Sequence, residues 1–391
     1  MATANVPIRQ ITHGPRHHWF GYYDKLQFSP DGRYVLGMSV DFENRKPTAR
    51  DEVRIGMVDL GDEDRWLDLG HSVSWGWQQG CMLQWRPGSA AEVMWNDRDG
   101  DHFVTRSLNI DTGAQRTWPW PFYALSPDGR YGVGVDFERI QDMRPGYGYP
   151  GLPDRNADCL RPADSGAWLL DWERDTRSMA ISIEQAASVA ADHPSHAAGK
   201  HYFNHLLFSP DGTRFIFLNR WRDVSTGVAK GNLHTRMFTV GVDGGGLHLV
   251  DDSGSMSHFI WRDSDHILGW TRHPSHAAAF YLFRDRSDWV EVQGRGSMRV
   301  NGHCTYLPGR HVVLNDTYPL GNRIQELYLY DADRDRRMEL GAFPSPPEYD
   351  GEWRVDLHPR SNRDGTRVCI DSAHGGQGRQ MYLLDIGSLL D

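Results

Sequence analysis

Four histidines, His205, His258, His303 and His358, lie 53, 45 and 55 residues apart in a chain of 391 residues. Each stands four residues before a turn: Ser209-Pro210-Asp211-Gly212, Arg262-Asp263-Ser264-Asp265, Leu307-Pro308-Gly309 and Asn362-Arg363-Asp364-Gly365. Neutral imidazole is a ligand for divalent ions and a base near neutral pH. Three or four of them brought together would suit Mn, Zn, Fe or Ni, with one left free to take a proton. Held apart, each would only hydrogen-bond a neighbouring strand. Which holds depends on the elements that carry them.

Those elements repeat. Ser29-Pro30-Asp31-Gly32 and Ser126-Pro127-Asp128-Gly129 match the turn after His205, and Arg86-Pro87-Gly88 is a degenerate copy. Pro-Asp-Gly and Asp-Gly mark hairpins, because Gly supplies the positive φ that the turn needs. Each turn sits between short apolar strands, and a third strand often ends in a shared pattern, as in Val58-Asp59, Leu170-Asp171, Tyr330-Asp331 and Leu384-Asp385. Seven such units predict an all-β, seven-bladed β-propeller spanning residues 1–391 as one domain. The last unit has no strand after Ile386, so the N-terminal segment Val6–Ile11 is expected to pair with the last blade and close the ring. Rim insertions are expected at about 137–165, 183–201 and 343–353, the second with a helical run over Glu184–Ala191.

In this architecture the inner strand of every blade starts on one face of the ring. The starting positions hold Lys25, Met82, Phe122 and then the four histidines. Second strands end on the same face and add Asp41, Asn96, Asp97, Asp136, Arg220, Arg222, Arg272, Asn315, Asp316, Asp371 and His374. Two aromatic stretches lead into the rim: His17-His18-Trp19-Phe20-Gly21-Tyr22-Tyr23-Asp24-Lys25 and Trp75-Gly76-Trp77-Gln78-Gln79-Gly80. Flat rings among amides and charges suit sugars, so His17, His18, Trp19, Tyr22, Trp77, Gln78 and Gln79 are candidate substrate contacts. The competing expectation is that these rings pack between blades.

If the ligand is a uronate, removing the proton beside its carboxylate needs a neutralising metal or arginine, a base and an acid. The rim offers Arg220 or Arg222 as clamp, His205 or Tyr23 as base or acid, and Lys25 nearby. Glycoside hydrolysis would instead need two carboxylates at a set separation, for which Asp41, Asp136, Asp316 and Asp371 are available.

Composition narrows the partners. The net charge of −10 and the lack of a basic block argue against nucleic acid. No segment has the length of a membrane span, the N-terminus lacks a signal-like apolar run, and the four cysteines show no CxxC pairing, so a cytoplasmic protein is expected.

The Ser-Pro-Asp-Gly blades resemble the WD40-like repeats of TolB-type propellers. Over its whole length, with histidines at the inner-strand starts and His358-Pro359 in the last blade, the chain is similar to the oligogalacturonate lyases. That resemblance implies a cytoplasmic carbon–oxygen lyase that cleaves short uronate oligosaccharides by β-elimination. It implies a divalent ion, Mn, held by His258, His303 and His358, with His205 as base. The family's glutamine three residues before a His-Pro-His motif is replaced here by Val355, and the second histidine of the motif by Arg360. Gln78 or Gln79 is the amide available elsewhere on the rim. Two other functions stay open on the residues alone: a glycoside hydrolase on the same rim, and a non-catalytic TolB-like binding propeller. The partner in the leading reading is a small oligosaccharide, with neither nucleic acid nor membrane involved.

Overall fold

Each recurring turn is built by its own side chains. Ser29 Oγ donates to Asp31 Oδ1 at 2.5 Å and accepts from the Tyr34 N–H at 2.9 Å, while Gly32 closes the turn at φ 70°. Ser126 and Ser209 make the same contacts with Asp128 and Asp211 at 2.5 and 2.6 Å. Short β-branched and aromatic segments on either side then pair as antiparallel strands.

A computed structural model describes residues 3–190, 193–223 and 232–390 of the chain. It contains seven antiparallel sheets. Blade 1 is His17–Trp19, Tyr34–Val40, Val53–Asp59 and Arg65–Ser72. Blade 2 is Gln84–Trp85, Glu92–Asp99, His102–Asn109 and Gln115–Trp118, and blade 3 is Ala124–Leu125, Tyr131–Gly134, Gly166–Asp171 and Thr176–Ser182. Blade 4 is Gly199–Phe208, Arg214–Asp223, Leu233–Gly241 and His248–Gly254, and blade 5 is Phe259–Trp261, His266–His273, Ala277–Arg284 and Val290–Gln293. Blade 6 is Thr305–Tyr306, Val312–Asp316, Ile324–Asp331 and Arg336–Pro344. Blade 7 is Arg360–Ser361, Arg367–Ser372 and Gln380–Asp385, completed by Ile8–Gln10 from the N-terminus. The fold is thus the expected seven-bladed propeller closed by its N-terminal strand. Thr3–Ala4 adds a fifth strand to blade 6, pairing with Gly341 and Ala342, which the repeat pattern did not signal.

The insertions differ from expectation in detail. Residues 137–165 begin with a helix, α1 (Phe137–Met143). Its Phe137, Arg139, Ile140 and Met143 are buried, a helical stripe too short to stand out in a Gly/Pro/Tyr-rich segment. The expected run Glu184–Ala191 appears as α2 (Ile183–Ser188), started by a capping box between Ser182 and Gln185; Ala191 lies outside the described residues. Residues 199–201 already belong to the inner strand of blade 4, and Phe343 and Pro344 to the outer strand of blade 6. Among the described residues no helix is long and apolar enough to cross a membrane.

Candidate functional site

Blade 1 breaks its inner strand to make the site. His17, His18 and Trp19 pair with Val40, Ser39 and Met38, and Phe28 bridges Val35 further on. Phe20 to Gln27 leave the sheet between these points. Asp371 of blade 7 anchors the excursion by accepting from the Phe20 and Gly21 N–H groups, both at 3.2 Å. The result carries Tyr22 and Tyr23 into the central opening.

The histidines arrive by a related device. In blade 4 the pairing slips between Asn204 and Leu207, and His205 sits in this bulge at φ 52°. His358 (φ 41°) and Met82 (φ 58°) adopt the same left-handed conformation at the equivalent position of their blades. Such backbone is costly for a side-chain-bearing residue and is maintained only where its surroundings enforce it. All four histidines are buried, and their rings converge. The centroids of His258 and His303, and of His303 and His358, are 4.2 Å apart, and those of His205 and His258 are 6.3 Å apart. Tyr22 closes the circle, 4.8 Å from His205 and 5.2 Å from His358, with its hydroxyl 2.7 Å from His205 Nδ1.

Orientation and protonation are set by the neighbours. Asp316 Oδ1 lies 2.9 Å from His303 Nδ1 and accepts the His303 N–H at 2.7 Å, while its Oδ2 accepts the His358 N–H at 3.2 Å. A carboxylate on Nδ1 leaves Nε2 with its lone pair. His258 Nδ1 is 3.0 Å from Asn301 Oδ1, which orients that ring in the same way. Burial, reinforced by His303, holds the His205 pKa down to about 3. Burial first, then charge from His303 and other neighbours, also keeps His258 and His358 well below the ordinary value. These imidazoles are therefore neutral at physiological pH, the state a metal ligand or a base requires.

His303, Asp356 and His358 each present a ligand atom within 4.8 Å of the others. Among the described residues, His358 Nε2 and Asp356 Oδ1 are buried without a hydrogen bond, while Asp356 Oδ2 forms an ion pair with Arg354 Nε at 2.8 Å. Orphaned buried acceptors facing one another are what a cation would satisfy, so the donor set fits a divalent metal. Two of the three expected ligands, His303 and His358, converge with a carboxylate from Asp356, and the third, His258, stands beside them with its ring centroid 4.2 Å from that of His303. Each of the two expected glutamines is tied down through one end of its amide, and Gln78 Oε1 is buried without a hydrogen bond among the described residues. Gln78 Nε2 donates to the backbone of Glu352 and Arg354 at 2.9 and 3.2 Å, and Gln79 Oε1 accepts from Tyr123 at 2.7 Å.

The cationic side is also defined. Arg220 and Arg144 join His205, His258, Ser257 and Asn301 around a cavity of about 250 Å³. Arg220 is only 3 % exposed, and among the described residues its Nε and Nη1 have no hydrogen-bond partner, a strong invitation to an anion. Arg222 instead donates Nε to the Met143 carbonyl at 3.2 Å and so ties down the end of α1. Tyr147, from the same insertion, receives bonds on its hydroxyl from Arg354 Nη2 at 2.8 Å and Arg144 Nη2 at 3.2 Å. Burial pushes that phenol up, but the two guanidiniums outweigh it and hold its pKa below the ordinary value. Its ring lies 6.1 Å from that of His205.

Several expected contacts serve the framework. Tyr23 OH donates to the Phe259 carbonyl at 2.9 Å, and burial drives its pKa well up, so it struts blade 5 and is a poor acid or base. Lys25 Nζ pairs with Asp24 at 3.0 Å and lies 5.2 Å from the Tyr123 ring. His17 pairs with Glu43 at 2.9 Å, and His18 Nδ1 lies 3.0 Å from Gln380 Oε1, linking blades 1 and 7. Trp19 and Trp77 are each 1 % exposed and stack in a cluster with Trp75, their centroids 5.1 Å apart. They offer no face to a sugar. The inter-blade packing expectation is the one that describes them.

Arg144, Tyr147, Arg354 and Asp356 were not picked out by residue type and spacing. Arg354, Asp356 and His358 do alternate along the chain, so an extended segment would place them on one side. The Gly/Pro/Tyr-rich run contained Tyr147 but offered nothing to distinguish it from Tyr149, which is buried against Phe137.

No protein-family model and no curated protein sequence matches the chain. Solved structures do. A structure of oligogalacturonate lyase in complex with manganese aligns over 98 % of this chain and 94 % of its own, with a TM-score of 0.68 at 13 % identity. The oligogalacturonate lyase from Vibrio parahaemolyticus aligns over 100 % and 97 %, with a TM-score of 0.66 at 12 % identity. The β-propeller domain of the Trilobed protease from Pyrococcus furiosus aligns over 94 % and 96 %, with a TM-score of 0.55 at 10 % identity. In its backbone, the chain has the seven-bladed propeller fold of the oligogalacturonate lyases.

Proposed function

We propose that this protein is a carbon–oxygen lyase that cleaves uronate-containing oligosaccharides by β-elimination at the histidine ring. The observation that carries the reading is the convergence of neutral imidazoles with the buried Asp356 Oδ1 and His358 Nε2 and with the Arg220 Nε and Nη1, none of which has a hydrogen-bond partner among the described residues. His303, Asp356 and His358 would hold a divalent ion, with Mn as the leading candidate because one structural neighbour is a manganese complex. The bound ion would supply positive charge that acidifies the proton beside the uronate carboxylate.

The chain's own residues do the remaining work. Arg220 and Arg144 bind the carboxylate and orient the sugar in the cavity. His205 takes the C5 proton as its C–H bond breaks, and the electron pair forms the C4–C5 double bond. Tyr22 fixes the His205 ring through their 2.7 Å contact. The C4–O bond breaks, and Tyr147 gives its proton to the departing oxygen. Arg144 and Arg354 stabilise the phenolate that results. The substrate is a small oligosaccharide, and the reaction belongs in the cytoplasm, with no nucleic acid or membrane as partner.

The test is metal analysis of the purified protein together with ultraviolet absorbance of unsaturated uronate products on a panel of oligouronates. Metal-dependent appearance of the chromophore is expected. Reducing ends released without the chromophore would identify a hydrolase instead, and no product with no bound metal would leave a binding propeller.

A further inference from the structure

The two ends of α1 face different spaces. Beyond its C-terminal end the chain delivers Arg144 and Tyr147 to the central opening. At its start, Asp136 and Glu138 line a separate cavity of about 450 Å³ between blades 2 and 3. This cavity opens on the same face as the histidine ring. Asp136 follows the end of the second strand of blade 3, and Asp101 and His102 lie at the hairpin between the second and third strands of blade 2. By antiparallel alternation, both places belong to the face on which inner strands start.

Its walls are unlike blade packing. Trp120 and Trp168 are half-buried and face the cavity with the Arg177 guanidinium between them, 5.8 and 4.5 Å from the two rings. Asp136 Oδ2 accepts from Ser165 Oγ at 2.5 Å, while its other oxygen lies 3.7 Å from Arg155 Nη2. Burial, and then the charge of Asp136, raises the Glu138 pKa to about 7. Two carboxylates pressed together beside two arginines cost stability if they only fill space. Indole faces bordered by acceptors for hydroxyls and guanidinium forks for a carboxylate are a complete set of contacts for an acidic sugar.

We propose that the cavity between blades 2 and 3 is a second binding site for a uronate-containing saccharide, walled by Trp120 and Trp168 and polar through Asp136, Glu138, Arg155 and Arg177. The choice of sugar rests on the uronate reading of the histidine ring.

Isothermal titration calorimetry with trigalacturonate and added manganese tests it, on a His205→Ala background that prevents turnover. Two equivalents per chain are expected. One equivalent should vanish when Arg155→Ala and Arg177→Ala are combined; both side chains are exposed, so little packing is lost. Trp120→Ala, from the opposite wall, should remove the same equivalent. An unchanged stoichiometry in both wall variants overturns the proposal, whether the background binds one or two equivalents. One equivalent in the background that disappears in the wall variants would sustain this site and defeat the uronate reading of the histidine ring. No heat in the background would defeat both.

Discussion

Asp316 holds His303 at two points: its carboxylate accepts the backbone N–H at 2.7 Å and lies 2.9 Å from ring Nδ1. Both residues are almost fully buried, so the ring is held in one orientation. Carboxylates in this position commonly raise metal affinity about 10–100-fold. Asp316→Asn is therefore expected to weaken manganese binding by that order while leaving the propeller folded. Competition with a fluorescent chelator measures it, and equal affinities would show that His303 is not a ligand.

The roles of two histidines separate cleanly. His205→Ala should abolish formation of unsaturated product, a fall of about 10²-fold or more, with metal still bound. His303→Ala should lose the metal itself. Metal content and absorbance, recorded on both variants, decide the matter, and full activity in both would dismiss the ring as the catalytic centre.

Tyr147→Phe removes the proposed acid and keeps the ring. A decrease in kcat of about 10²–10⁴-fold is expected, with a smaller change in KM. The sign of the pH effect follows from the role. An acid must be protonated, so activity in the wild type should fall as pH rises through the pKa of Tyr147. Because Arg144 and Arg354 hold that pKa below the usual phenol value, the fall should come earlier than for an ordinary tyrosine. A basic limb that is identical in Tyr147→Phe would refute the assignment.

Acid stability should follow the buried histidines away from the metal ligands. Burial lowers His18 and His196 to about 4 and His201 to about 3. In the unfolded chain the same groups titrate near the ordinary value of about 6.5. Between these limits the unfolded state binds more protons, so this stability is complete above about pH 6.5 and lost as pH falls towards 4. Calorimetric Tm should decline steadily over that window, and less steeply in His201→Gln. A Tm that stays level from pH 7 to 4 would contradict it.

Trp19 tests packing against recognition. With 1 % exposure and Trp75 and Trp77 against it, Trp19→Ala should cost about 3–5 kcal/mol of stability. Chemical denaturation measures the loss. A variant of wild-type stability with a raised KM would instead return Trp19 to the substrate site.

Residue order alone determined the ring. Each Ser-Pro-Asp-Gly turn is a local hydrogen-bonded unit, and repetition of strand and turn carries the fold without any long-range information. The register of His205, His258, His303 and His358 was legible for the same reason, since equivalent positions of a closed repeat must share one face. Tertiary structure decided what the repeat could not encode. Asp356 meets His303 across two blades, and Tyr147 crosses from an insertion in blade 3 to Arg354 beside blade 7. Those neighbours depend on how irregular segments fold back over the rim, where no period applies. Burial was equally hidden: Trp19 and Trp77 have the composition of a sugar site, but the closing of the blades around them makes them core.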